Sequence, residues 1–240
     1  MKKTVCILIA LIFLLCGCSK TIRSDAETVF TKTENGNLIS ASGIEYAFLA
    51  NEDTLYYLGN LEFAGSVYGE ENTSTHLGVP YQTGMFAIDG AGTDNVLIRY
   101  FPDDEWFAVY RKTSLSDFKI STDNCIRFEF IPGMELPNES AIHISCGNGI
   151  TDPFQISTFL SEIRMQQDPR EAGLYDLIEK PDGTLENCYL YGVIYGFFEE
   201  EPNLALRMEV TSYNDMAYSI NMDDNEYVLP PEWLQKLIDP

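Results

Sequence analysis

Histidine is almost missing from this chain: His76 and His143 are the only two among 240 residues. Zinc sites need three or four ligands from His, Cys and carboxylate. His143-Ile144-Ser145-Cys146 supplies two, and residues three apart on a strand point to opposite faces. Basic residues are equally scarce, at 15 Lys and Arg against 37 Asp and Glu, for a formal net charge of −22. Binding phosphate backbones needs Lys and Arg clusters, so nucleic acid is excluded as a partner. The chain also lacks the Gly-x-Ser-x-Gly elbow, the phosphate loop, His-Glu-x-x-His and the dinucleotide fingerprint. Neither a cofactor, a metal nor a catalytic residue is expected, and the reading is non-enzymatic.

Two serine motifs test that reading. Ser116-Asp117-Phe118-Lys119 fits Ser-x-x-Lys, and Ser212-Tyr213-Asn214 fits Ser-x-Asn, two of three elements of penicillin-binding proteins and serine β-lactamases. The third, Lys-Thr-Gly, is absent, and Ser116 falls in a loop rather than at a helix start. Three acidic clusters, Asp103-Asp104-Glu105, Glu199-Glu200-Glu201 and Asp223-Asp224-Asn225-Glu226, lack the calcium-loop spacing and read as solvated hairpin turns.

What is present at the start is a pattern. Lys2 and Lys3 precede an apolar run from Val5 to Leu15, and Leu15-Cys16-Gly17-Cys18 closes it. A positive head, a short apolar core and small residues make a secretory signal layout, too short to span a bilayer as a mature helix. The Leu-x-Gly-Cys ending resembles the lipobox of bacterial lipoproteins. That resemblance covers residues 1–19 only. It implies diacylglycerol on the Cys18 thiol, with palmitate-type acylation, cleavage before Cys18, and a place on the extracytoplasmic face of the cell membrane. Loss of residues 1–17 takes Lys2 and Lys3 from the 15 basic residues, so 13 remain against 37 acids and the charge becomes −24. Such a domain is repelled by anionic head groups, which leaves lipid at Cys18 as its attachment.

After the cleavage point only Cys125, Cys146 and Cys188 accompany Cys18, so at most one disulfide forms, with three possible pairings. Residues 18–42 are rich in Ser, Thr, Asn and charge and read as a tether, with Ala26 to Thr31 a strand candidate inside it; residues 43–240 read as one globular domain. With 14 Phe and 14 Tyr, that domain is no disordered acidic tail.

Period-two alternation predicts strands near 44–48, 54–58, 61–68, 85–88, 95–101, 106–112, 125–131, 141–146, 188–198, 204–211, 218–222 and 227–229. Trp106, Ala108 and Tyr110 share one face and Phe107, Val109 and Arg111 the other, which marks a central strand. Asp152-Pro153 opens an amphipathic helix over 153–167, a short helix follows near 174–179, and a C-terminal helix covers 231–238. Cys188–Phe198 carries Gly192 and Gly196 at a membrane-like spacing, but eleven residues cannot cross a bilayer, so a strand buried on both faces is predicted. The expected fold is α+β and β-rich, a mainly antiparallel sheet with the helices near 153–167 and 231–238 packed on it.

Three functions fit this reading. The first is a lipid-anchored accessory module that binds an envelope protein, peptide or glycan. The second is a sensor or inhibitor component beside a membrane signalling protein. The third is an envelope hydrolase with catalytic residues outside known motifs, which a pocket with two carboxylates would favour.

Overall fold

The computed structural model describes residues 28–71, 73–76, 79–88, 95–101, 106–115, 117–133, 149–180 and 186–238. Cys18, Ser116, His143, Cys146, the acidic run 103–105 and the strand expected over 141–146 lie outside them. The described strands are β1 (Val29–Lys32), β2 (Leu38–Ile39), β3 (Glu45–Asn51), β4 (Leu55–Tyr57), β5 (Leu61–Val67), β6 (Thr73–His76), β7 (Val79–Gln82) and β8 (Gly84–Ile88). They continue with β9 (Val96–Phe101), β10 (Trp106–Lys112), β11 (Cys125–Pro132), β12 (Gly149–Ile150), β13 (Cys188–Phe198), β14 (Leu204–Tyr213), β15 (Ala217–Met222) and β16 (Asn225–Leu229). Helices α1 (Pro153–Arg164) and α2 (Pro231–Ile238) complete the set, with 3-10 turns at Thr122–Asn124 and Leu174–Leu177.

Seven strands close into a barrel in the order β1-β2-β3-β10-β9-β8-β5, and β1 returns to β5 through a short parallel pairing, Val29 with Ser66 and Phe30 with Val67. Every other barrel pairing is antiparallel. The second sheet runs β12-β11-β13-β14-β15-β16, with β4 also paired to β14. This overturns the α+β expectation of a mainly antiparallel sheet with helices on it. The molecule is a β-protein of one closed barrel and one second sheet. Alternation within a strand reports that one face is buried, not whether the sheet bends round to meet itself. The closing strands β1 and β2 also fall inside residues 18–42, read as tether from their polar composition. Phe30 and Leu38 are nevertheless buried in the barrel interior, so the globular part begins by Val29 and not near Gly43.

Closure puts two backbones in contact at Gly65. A Cβ there would meet Thr28 O at 2.0 Å, and its φ of +156° disfavours any side chain. The interior holds Phe30, Leu38, Tyr46, Val67, Met85, Leu97, Ala108 and Tyr110. Met85 and Ala108 flank Arg99 in register, so Arg99 also points inward. Its guanidinium meets Glu70 at 2.5 Å, and Glu70 also binds Lys32 at 2.8 Å, which puts a charged lid on one barrel mouth.

The outer wall of the same barrel faces the second sheet. Val109 and Phe107 leave β10 on the face opposite Ala108 and Tyr110 and join Ile98, Phe128, Ile194, Met208 and Phe159 in one shared core. Between β3 and β9, β10 thus has apolar neighbours on both sides. In the second sheet β13 is buried on both faces from Gly192 to Phe198, while Cys188 and Tyr189 at its start are exposed. Gly192 and Gly196 let Phe130 and Phe128 of β11 lie flat on it: a Cβ would meet those rings at 2.6 and 2.9 Å. Their spacing therefore serves strand packing.

Helix α1 starts as its residues dictate. Asp152 Oδ1 accepts from the Gln155 N–H at 2.9 Å, and Pro153 occupies the first turn. Ile156, Phe159, Leu160 and Ile163 are its buried stripe. Trp233 of α2 stacks edge-on against Phe159, 5.3 Å between centroids, and donates its indole N–H to Glu162 at 2.6 Å.

Candidate functional site

One strand belongs to neither sheet by sequence order alone. β4 leaves the barrel between β3 and β5 and pairs with the first half of β14, Leu55 with Leu206, Tyr56 with Ala205 and Tyr57 with Leu204. The second half of β14 pairs with β15, from Val210–Ile220 to Tyr213–Ala217. Arg207 to Glu209 lie between the two partners, and there a cleft of about 710 Å³ opens at the junction of barrel and second sheet.

Its walls come from distant parts of the chain. β3 and the turn after it give Phe48, Leu49, Asn51, Asp53 and Thr54; β14 gives Leu206 to Glu209; the β15–β16 hairpin gives Asn221, Asp223 and Asp224, and Ile120 adds an apolar side. Phe48 stands 53% exposed with its ring edge-on to Tyr110. Aromatic contacts hold the neighbouring β4 in place: Tyr56 and Tyr57 are stacked, and Tyr56 meets Tyr195 edge-on. Burial pushes both hydroxyls up to about 12, so they are neutral at physiological pH.

Charge in the cleft is one-sided. Asp53, Glu209, Asp223 and Asp224 face a single cation, Arg207. Its side chain is only 9% exposed, donates to Glu209 at 2.7 Å and reaches the Glu52 carbonyl at 3.4 Å. The buried Arg207 Nε has no hydrogen-bond partner. Below it the Arg207 N–H donates to Thr54 O at 2.8 Å, which ties the β3–β4 turn to β14.

Asp223 is set differently. Asp223 and Asp224 form a two-residue hairpin loop with φ of 50° and 62°, the left-handed pair such turns require. Asp223 accepts from the Thr122 N–H at 3.3 Å, the Thr122 hydroxyl at 2.7 Å and Arg164 at 2.9 Å, and Arg164 also pairs with Asp123 at 2.7 Å. Burial works to raise the Asp223 carboxyl, but the bonds from Arg164 and Thr122 outweigh it and hold it below the usual range. It is a fixed anion. By contrast burial raises the carboxyl of Glu52, on the turn beside the cleft.

The residues singled out from sequence fall elsewhere or outside the described residues. Cys125 is buried and Cys188 exposed, both free, and burial raises both thiols. Ser212 is fully buried and its hydroxyl accepts from the Asp215 N–H at 3.2 Å, a turn contact far from a nucleophile's setting. Of the acidic clusters, Glu201 is no solvated turn residue: it is buried and pairs with Arg111 at 2.6 Å. Asp223 and Asp224 are the part of a sequence cluster that reaches the cleft. Asp53, Arg207 and Glu209 carried no sequence signal, since only the pairing of β4 with β14 brings residues so far apart in the chain together.

Among the described residues no group of three or more His, Cys, Asp and Glu is placed to hold a metal ion. Nor, among them, is any helix long and apolar enough to cross a membrane. Comparison with protein-family models, with curated proteins and with solved structures finds no match to this chain.

Proposed function

We propose that the protein is a bacterial lipoprotein, anchored through diacylglycerol on Cys18 at the extracytoplasmic face of the cell membrane. In this reading its acidic domain is a binding or accessory module for an envelope partner. The observation that carries the binding role is the open cleft between barrel and second sheet. Clefts of about 300–1,000 Å³ at the junction of two structural units are the usual seats of ligands. Its polar groups are carboxylates, amides, a threonine hydroxyl and a buried arginine, with no cysteine, histidine or serine among the lining residues.

With β1 in the barrel, only residues 19–27 separate Cys18 from the described fold. Fully extended, that link reaches about 35 Å, so the start of the barrel stays within that distance of the lipid surface. A partner there is itself membrane-bound or held in the adjacent wall. Action beside a membrane signalling protein is one form of this role.

Hydrolysis is the competing reading, because the cleft does hold more than one carboxylate. A glycosidase needs one of its acids protonated at working pH. Asp223 is held ionised by Arg164 and Thr122 and so is not that acid, while Glu52, whose carboxyl burial raises, lies on the turn beside the cleft and not among its lining residues.

Two measurements test the proposal. Cys18→Ser is expected to release the protein from the membrane fraction; retention there overturns the anchor. The full-length chain in an uncharged detergent is expected to capture an envelope component that Asp53→Lys and Phe48→Ala variants lose. Turnover of cell-wall glycan that Asp53→Asn or Glu209→Gln abolishes would replace binding by hydrolysis.

A further inference from the structure

The strand that closes the barrel is also where the link from Cys18 meets the fold. We propose that β1 is a releasable strap, which docks in the seam between β2 and β5 to hold the domain near the lipid and detaches as a unit to lengthen the link. The change in reach rests on the anchor read above at Cys18; the detachment does not.

Little holds β1 in place. Its partners are Ile39 and Leu38 on one side and Ser66 and Val67 on the other, whereas the central β10 is paired along its whole length. On the parallel β5 side, the Ser66 and Tyr68 N–H groups donate to Thr28 O at 3.0 Å and Phe30 O at 2.8 Å. Of the four residues of β1 only Phe30 is buried, edge-on to Tyr46. Lys32 pairs with Glu70, but it is half exposed, and such pairs add little. Ordering a segment costs backbone and side-chain entropy, and one buried ring gives little to set against it. Segments of this kind open at free energies below that of global unfolding.

The chain beyond Phe30 suits both states. Thr31-Lys32-Thr33-Glu34-Asn35-Gly36-Asn37 holds no large apolar residue, so on swinging out it carries none into water besides Phe30. Gly36, at φ +83°, turns the chain between β1 and β2. Leu38 is fully buried and marks where release stops. There β2 keeps its own hairpin with Glu45 and Tyr46 of β3, and the Ser40 N–H donates to Ile44 O at 2.9 Å. With β1 docked the link from Cys18 ends at Thr28. With β1 detached it ends at Leu38, and its extended reach goes from about 35 Å to about 70 Å.

Hydrogen exchange and proteolysis of the full-length chain in uncharged detergent test the strap. The Ser66 and Tyr68 amides are expected to exchange about 100-fold faster than those of β10, and trypsin to cut after Lys32 well before Arg111 or Lys112. Phe30→Ala should speed both about tenfold and leave β10 exchange unchanged. A disulfide between Val29→Cys and Ser66→Cys, which are facing partners, should suppress both until it is reduced. Exchange at the rate of β10, no cut after Lys32, or a disulfide without effect overturns the strap. On a supported bilayer, neutron reflectometry should place the Phe30→Ala domain farther from the head groups than the disulfide-locked one, by about 10 Å or more. Equal distances overturn the change in reach. If Cys18→Ser stays in the membrane fraction, the anchor falls and the change in reach with it, while the exchange rates still decide the strap.

Discussion

In the barrel, eight buried side chains from Phe30 to Tyr110 fill an interior that has no free sheet edge, because β1 returns to β5. In the second sheet, Gly192 to Phe198 of β13 are just as buried, but between neighbours in an open sheet, and the long β14 has to share one edge between β4 and β15. The closed unit presents a filled core and an ion-paired mouth. The open unit leaves a gap where two partners meet one strand, and the cleft forms there. Closure leaves no free edge, whereas a strand shared between two partners keeps a gap where one partner gives way to the other.

The two units nevertheless share a core, and the largest expected effect tests that. Phe159→Ala removes a fully buried ring from α1 and should cost about 3–5 kcal/mol. Since Phe159 belongs to the same cluster as Val109 and Ile98 of the barrel wall, calorimetry should show one transition at lower temperature. Two separated transitions would break the shared-core view and make the units independent.

Gly65→Ala attacks the barrel alone. A Cβ 2.0 Å from Thr28 O and a φ of +156° should cost about 2–4 kcal/mol, released as local opening of β1. Hydrogen exchange should rise at Ser66 and Tyr68, whose N–H groups bond Thr28 and Phe30, while the Trp233 region keeps its protection. A uniform rise across the chain would mean that β1 is not a separable latch.

Asp223→Asn acts on the second sheet and on the cleft, at about 1 kcal/mol for a charge-assisted network that is partly solvated. Because the folded carboxyl lies below its unfolded value of about 3.9, the wild-type gains this stability above that pH and loses it as pH falls through the depressed folded value. Urea melts between pH 6 and pH 3 should therefore show the gap between wild-type and variant narrowing toward the acid end. The smallest effect is expected at Lys32→Met. Lys32 is 50% exposed and shares Glu70 with the buried Arg99, so the loss should stay under about 0.5 kcal/mol and vanish in 0.5 M salt.

How much of this was legible in the residues differs from element to element. Asp152-Pro153 and the Ile156-Phe159-Leu160-Ile163 spacing fix a helix locally, because cap and stripe lie within one short segment. The two apolar faces of Trp106–Lys112 foretell a strand with partners on both sides. The closed barrel was not legible, and the α+β expectation failed on it. β1 and β2 are short, four and two residues, with one buried side chain each, and the closure of β1 onto β5 has no local signature. The cleft was legible only through Asp223 and Asp224, a hairpin whose carboxylates read as solvated; the bonds from Thr122 and Arg164 that anchor one of them cross 59 to 101 residues.

The sequence by itself determined the charge, the lipobox-like start ending at Cys18, the capped helix and the period of the strands. Each of these is written in neighbouring residues and obeys local chemistry. Tertiary structure alone decided that the sheet closes, that β4 crosses over to β14, and that Asp53, Arg207 and Glu209 meet Asp223 across one cleft. Those outcomes depend on which edges pair, and edge pairing is settled by the burial of the whole chain rather than by any segment within it.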